Sequence, residues 1–131
     1  IKTDKKINER IPTKPEMIKK IINNNKDGKF ILFSEYDVSF SKITSILEET
    51  NITFTELKGH SSTIKTKINK FNDGKIQVLY LNSNYNGAGI NLQKATDIIL
   101  YHTMSEDLTT QIVGRANRIG RRTDLYVHTL T

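Results

Sequence analysis

Three short runs constrain the fold of this chain most: FILFS (Phe30–Ser34), IQVLYLN (Ile76–Asn82) and DIILYH (Asp97–His102). Each is close to continuously apolar, and IQVLYLN leaves no period-two pattern for a face in water. Strands of that kind must be covered on both sides. The segments between them carry a helical period instead. After Pro15, which suits a first helical turn, Met17, Ile18, Ile21 and Ile22 follow i, i+1, i+4, i+5 spacing until NNNKDGK ends it. In VSFSKITSILEET, Phe40, Ile43, Ile46 and Leu47 share one helical face, and in TIKTKINKF so do Ile64, Ile68 and Phe71. ITFTEL, around residues 52 to 57, and LYVHTL supply two more strands. SEDLTTQIVGRANRI reads as a helix capped by Ser105 with Glu106 and Asp107 in its first turn, and NYNGAGINLQKA as a glycine-containing loop with a short helix. Strand and helix thus alternate five times. The fold class that follows is α/β: a parallel sheet of about five or six strands with helices on both faces. Ligands of such sheets gather beyond the carboxyl ends of the strands, which directs attention to KGHSS, NSNYNGAGIN and the segment after DIILYH.

The 131 residues suffice for one hydrophobic core. Residues 1–14, of mixed charge and containing Pro12, read as a linker or arm, and 15–131 as the domain. A start at Ile1 and a stop directly after LYVHTL lead us to expect a fragment of a longer protein. The chain has no cysteine, which excludes a disulfide framework and a thiolate zinc site. With no apolar run approaching the roughly 20 residues of a membrane span and no signal-peptide pattern, we expect soluble, intracellular material with no membrane partner. The formal net charge of +6 favours polyanionic partners. Lysine-rich spelling from an AT-rich genome, such as that of a large DNA virus or a parasite, would also produce that charge. Arginine is different. Four of the five arginines lie in QIVGRANRIGRR, Gln111 to Arg122, and a guanidinium presents a planar, permanently charged fork suited to phosphate.

NSNYNGAGINLQKATDIILYH followed by QIVGRANRIGRR resembles the last two motifs of the superfamily 2 helicases and translocases, most closely the Swi/Snf-type ATPases, with their GxGxNL loop and Q-x3-R-A-x-R-I-G element. FILFS resembles the motif that opens the second RecA-like lobe of those motors. The resemblance covers residues 29 to 131 and departs from the Swi/Snf pattern at Asn86, for a usual glycine, and Ser83, for a usual threonine. It implies a C-terminal, RecA-like lobe working on ATP and Mg²⁺ held mainly by an N-terminal lobe of the same chain, with duplex DNA as partner. This sequence contains neither G-x4-G-K-[ST] nor D-E-x-H, so it lacks the phosphate-cradling loop and is expected not to hydrolyse ATP alone.

The resemblance also implies residue roles. Arg118 corresponds to the arginine finger, Arg115 to its companion and Gln111 to the polar residue opening the element. On one continuous helix, positions 111, 115 and 118 would project from one face, with Gly114, Ala116 and Gly120 leaving room beside them. Arg121 and Arg122 fall outside the matched core, where a solvated basic surface is the competing reading. Ser83, Asn84 and Gly87 would begin a loop on the nucleic-acid phosphates, and Gly89 and Asn91 would end it near the nucleotide, Gly87 and Gly89 allowing close backbone approach. Ser34, together with Gly59, Ser61 and Ser62, would track phosphates without reading sequence, although serine in a loop also serves simply as a turn former. Tyr85 has two readings, base stacking and local packing. His60, His102 and His128 lack metal-ligand spacing and read as surface or strand histidines. Two alternatives to a DNA motor stand: a catalytically inactive nucleic-acid-binding or protein-docking module of the same fold, and an RNA helicase lobe.

Overall fold

The computed structural model describes residues 12–85, 92–117 and 124–131. At its centre lies β1 (Phe30–Ser34), buried along its whole length. The pleat sends Phe30 and Leu32 into one apolar cluster and Ile31 and Phe33 into another. β3 (Val78–Asn82) and β4 (Asp97–Leu100) flank β1 and divide in the same way. Val78, Tyr80 and Ile99 join the first cluster, whereas Leu79, Leu81, Ile98 and Leu100 join the second. This two-sided burial is what the uninterrupted apolar runs require, and fully burying each such side chain contributes about 1.5–3 kcal/mol of transfer free energy. β2 (Phe54–Glu56) pairs with β3 and β5 (Tyr126–Thr129) with β4, giving the order β2-β3-β1-β4-β5 with every pair parallel.

Parallel neighbours need long crossovers, and helices supply them. α1 (Lys14–Asn24) and α2 (Phe40–Glu48), the latter preceded by a 3-10 turn at Asp37–Ser39, cover the first face with Ile18, Ile22, Phe40, Ile43, Ile46 and Leu47. α3 (Ser61–Asn72) and α4 (Glu106–Ala116) cover the second with Ile64, Ile68, Phe71, Ile112 and Ala116. The start signals act as the sequence suggests: Pro15 sits in the first turn of α1, and the Ser105 hydroxyl accepts a 3.2 Å hydrogen bond from the Leu108 N–H. The α/β architecture is therefore present, with five strands and helices on both faces among the described residues.

Two local expectations change, at β2 and at the end of α4, while β5 stands where it was expected. β2 is only three residues long and half-buried, because it forms one edge of the sheet. β5 forms the other edge, and Tyr126 and Val127 stay 55% and 41% exposed. The helix after Ser105 ends at Ala116 instead of continuing through Ile119. Asn117 turns extended (φ −80°, ψ 146°) while its N–H makes a last 2.9 Å bond to the Val113 carbonyl. Gly114 weakens that final turn, and asparagine gains more from leaving a helix than from prolonging it. The short helix expected in NYNGAGINLQKA falls partly on residues 86–91, outside the described residues. Beyond them the Ala95 N–H closes a turn onto the Leu92 carbonyl at 3.1 Å. The arm expected over 1–14 falls largely outside the described residues as well.

Candidate functional site

Because the strands are parallel, the segments leaving β1, β2, β3 and β4 collect at one end of the sheet. Gly59 adopts φ +113°, a conformation that side-chain-bearing residues rarely take, and this turn leads through His60 into α3. Ser61 and Ser62 stand exposed in the first turn of α3, a helix start with no side-chain cap and with Lys58 and Lys65 exposed close by in the chain. A helix amino terminus beside lysines favours an anion.

The rim next to β1 is built differently. Ser34 is fully buried, its hydroxyl accepting from the Tyr36 N–H at 3.2 Å and its carbonyl accepting from the Ser83 N–H at 2.9 Å. Ser83 is also buried, its hydroxyl directed at the Met104 sulfur at 3.4 Å. In this structure both serine hydroxyls turn inward and shape the loops, while the exposed neighbours Tyr36, Asp37 and Asn84 face solvent. The Asn84 N–H is bound to Asn82 Oδ1 at 2.8 Å. Tyr85 packs against the core and lines an open cleft of about 570 Å³ shared with Asp37, Glu56, Lys58 and Asn82. Thr44, also on that cleft, meets the Tyr80 hydroxyl at 2.7 Å; burial pushes the Tyr80 phenol above its usual value, with the Thr44 bond acting the other way.

A second group lies along α4. Gln111 is exposed and Arg115 half-buried, one helical turn apart and so on a common face, while Ile112 and Ala116 point into the core. The Leu92 N–H bonds to the Arg115 carbonyl at 3.2 Å. The loop that leaves the rim after Asn82 therefore returns to the last turn of α4. Gln111 and Arg115 share a helical face, and the helix ends at Ala116, two residues before Arg118. Ala116 makes room for the sheet, not for a ligand, whereas open space lies over Gly114. Arg118, Gly87, Gly89, Asn91, Gly120, Arg121 and Arg122 lie outside the described residues.

Sequence reasoning passed over Asn82 and gave His102 no role. Asn82 donates through Nδ2 to the Glu35 carbonyl at 3.2 Å and to Asp37 Oδ1 at 2.9 Å. His102 Nε2 accepts from the Glu35 N–H at 3.0 Å, and its ring lies 4.9 Å from that of Tyr36. The one available signal was positional: each is the polar residue at or just past the end of an apolar run.

At the opposite end of the sheet, the buried carboxylate of Asp97 accepts from Asn25 Nδ2 at 3.1 Å and from Thr96 Oγ1 at 2.7 Å, and meets His128 Nε2 at 2.8 Å. These groups adjoin an open cleft of about 530 Å³ that Lys20 and Tyr126 also line.

A parallel five-stranded sheet in this order, helix-covered on both faces, with a glycine-bearing loop returning to an arginine-bearing helix, defines a RecA-like helicase lobe. The solved structures agree at the level of fold. The C-terminal part of the Fun30 ATPase domain superposes with a TM-score of 0.79 at 23% identity, over 89% of this chain and 40% of that one. The Hef helicase domain of Pyrococcus furiosus gives 0.69 at 21% identity, over 98% and 27%. The helicase conserved C-terminal domain model matches residues 13–121, and the chain belongs to that family. A viral relative, the Acanthamoeba polyphaga mimivirus protein named "Putative helicase R592", is 38% identical over 112 residues. That match covers 86% of this chain and 13% of the length of the viral protein. No helix among the described residues is long and apolar enough to cross a membrane.

Proposed function

We propose that residues 15–131 form the C-terminal lobe of an ATP-driven nucleic-acid helicase or translocase, acting on duplex DNA, whose other lobe holds ATP and Mg²⁺. The observation that carries this reading is the bond from Leu92 to Arg115, which joins the end of the rim loop to the helix bearing Gln111 and Arg115. A polar amide and a guanidinium on one helical face fit a triphosphate, since they supply donors and positive charge where its oxygens are negative. When bound, ATP would supply the γ-phosphoryl group that is transferred to water. Arg115, with Arg118 beyond the helix end, would stabilise the charge spreading over the transferring oxygens, and Gln111 would help to orient the group. Ser61, Gly59 and the start of α3 would hold a DNA phosphate through hydroxyl and backbone donors, with Lys58 and Lys65 adding salt-dependent attraction. Asn84 and Gly87 would meet the same strand from the β3 loop, while the buried Ser34 and Ser83 would set the shape of the two loops. Gly89 and Asn91 would face the nucleotide.

The test is Arg118→Ala, with Arg115→Ala beside it, in the full-length protein. Nucleic-acid-stimulated ATPase is expected to fall by about 10³-fold or more for Arg118→Ala, the range of a finger arginine. A fall smaller than about tenfold rules out the role given to Arg118. Comparing duplex DNA, single strands and RNA at one stated salt concentration identifies the track. Stimulation by RNA alone would move the assignment to an RNA motor, and binding without ATPase would move it to an inactive module.

A further inference from the structure

Glu35 is the first residue after the central strand, and its main-chain N–H and C=O, on successive peptide groups, are each held by a side chain from a neighbouring strand end. His102 Nε2, from the segment after β4, accepts its N–H at 3.0 Å, and Asn82 Nδ2, at the end of β3, donates to its carbonyl at 3.2 Å. The histidine contacts fix a protonation state. An Nε2 that accepts a hydrogen bond carries no proton, so the proton of the neutral ring sits on Nδ1, where the Thr103 carbonyl lies 3.0 Å away to receive it. The opposite tautomer satisfies neither contact, and the imidazolium loses the bond to Glu35. Tyr36 lies tilted against the ring at 32°, holding it in place. The clamp spans three connections. Asn82 opens the loop that ends on Arg115, and His102 stands four residues before α4 begins.

We propose that His102, in its Nδ1–H form, and Asn82 are positioning residues: they clamp the Glu35 main chain and thereby fix the β3 loop relative to α4, coupling nucleic-acid contact to the arginine helix. The coupling rests on the proposed motor function; the clamp does not. Substituting His102 by phenylalanine retains a ring against Tyr36 and removes the acceptor, whereas glutamine retains an acceptor that does not titrate.

Two measurements separate these levels. In the 131-residue chain, long-range ¹H–¹⁵N spectra are expected to show the Nδ1–H tautomer at His102, and acidification that protonates the ring is expected to shift the Glu35 amide. The ionisable residues that touch the ring are Tyr36, through its own ring, and Glu35, through its N–H; Asp37 bonds Asn82, and Glu106 and Asp107 follow in the chain at the start of α4. The His102→Gln amide is the reference that isolates the histidine from them. An Nε2–H tautomer, or a Glu35 amide that titrates identically in His102→Gln, overturns the clamp. In the full-length protein, His102→Phe is expected to lower nucleic-acid-stimulated kcat about tenfold with DNA affinity changed by less than about twofold, and His102→Gln to restore kcat. Equal losses in both variants, or a loss of DNA affinity that accounts for the whole effect, overturn the coupling. If His102→Phe does not fold, the pH profiles decide: stimulation lost on acidification in the wild type but retained in His102→Gln supports the coupling, and identical profiles refute it. A wild-type ATPase indifferent to nucleic acid refutes the motor reading and the coupling together, while the spectra still judge the clamp.

Discussion

Around Asp97, at the amino end of the sheet, a carboxylate is bonded by side chains; around Glu35, at the carboxyl end, side chains bond mainly to backbone. Asp97, buried at the start of β4, draws Asn25, Thr96 and His128 into a set of side-chain contacts that ties α1, β4 and β5 together, with Thr96 also bonded to the Lys29 main chain. Around Glu35, by contrast, Asn82, His102 and Ser34 grip main-chain groups. This leaves the side chains of Tyr36 and Val38 facing solvent at 59% and 83% exposure. Gripping backbone fixes the course of a loop while freeing its side chains for a partner. A network of side chains on a buried carboxylate ties elements together instead. On the proposed function, the Asp97 cluster serves stability and the Glu35 rim serves contact, in line with ligands gathering beyond the carboxyl ends of a parallel sheet.

The largest effect expected from testing this division is at Asp97. Asp97→Ala strands the Asn25 amide and the His128 imidazole near a buried position and is expected to cost about 3 kcal/mol in urea unfolding, without altering DNA affinity per folded molecule. Next comes Gly28, whose space is limited: an added Cβ would approach Asn25 Nδ2 to 2.5 Å and the buried Phe30 ring to 2.9 Å. Gly28→Ala is expected to lose about 2 kcal/mol through overpacking, again with binding unchanged. Gly59 at the carboxyl end is limited by conformation instead, because its Cβ would find ordinary contact with Thr63 at 3.7 Å while φ stays at +113°. Gly59→Ala is expected to cost about 1 kcal/mol in stability yet to weaken DNA binding measurably, as the turn into α3 shifts. If Gly59→Ala leaves DNA affinity intact while Asp97→Ala abolishes it in folded protein, the division between the two ends is reversed.

Much of this fold was legible because the strands carry their burial openly. FILFS and DIILYH have no polar alternation, so only a covered parallel sheet accommodates them, and the helix face of Ile64, Ile68 and Phe71 follows from spacing alone. The end of α4 was not legible. Ile112, Ala116 and Ile119 prolong the apolar period past the point where Asn117 becomes extended, and periodicity does not report a single residue's φ and ψ. Ser34 and Ser83 read as phosphate-contacting hydroxyls through the family resemblance, but here each finds a partner within the fold that turns it inward. Beyond its position just past an apolar run, His102 gave no signal, because its partner is a backbone N–H 67 residues away in the chain and main-chain groups leave no trace in sequence.

The position of β1 has a consequence for how the chain is made. Among the described residues it is the first strand in chain order, yet its hydrogen-bonded neighbours begin at Val78 and Asp97. While this domain is being made, the nascent chain therefore carries Phe30, Ile31, Leu32 and Phe33 unpaired until those neighbours emerge. Only when β3 and then β4 have been made can the two apolar faces close around it. Such non-local, late-arriving pairing slows folding and exposes a sticky segment meanwhile. The delay is built into the strand order, and a circular permutant that begins at β3 should shorten it.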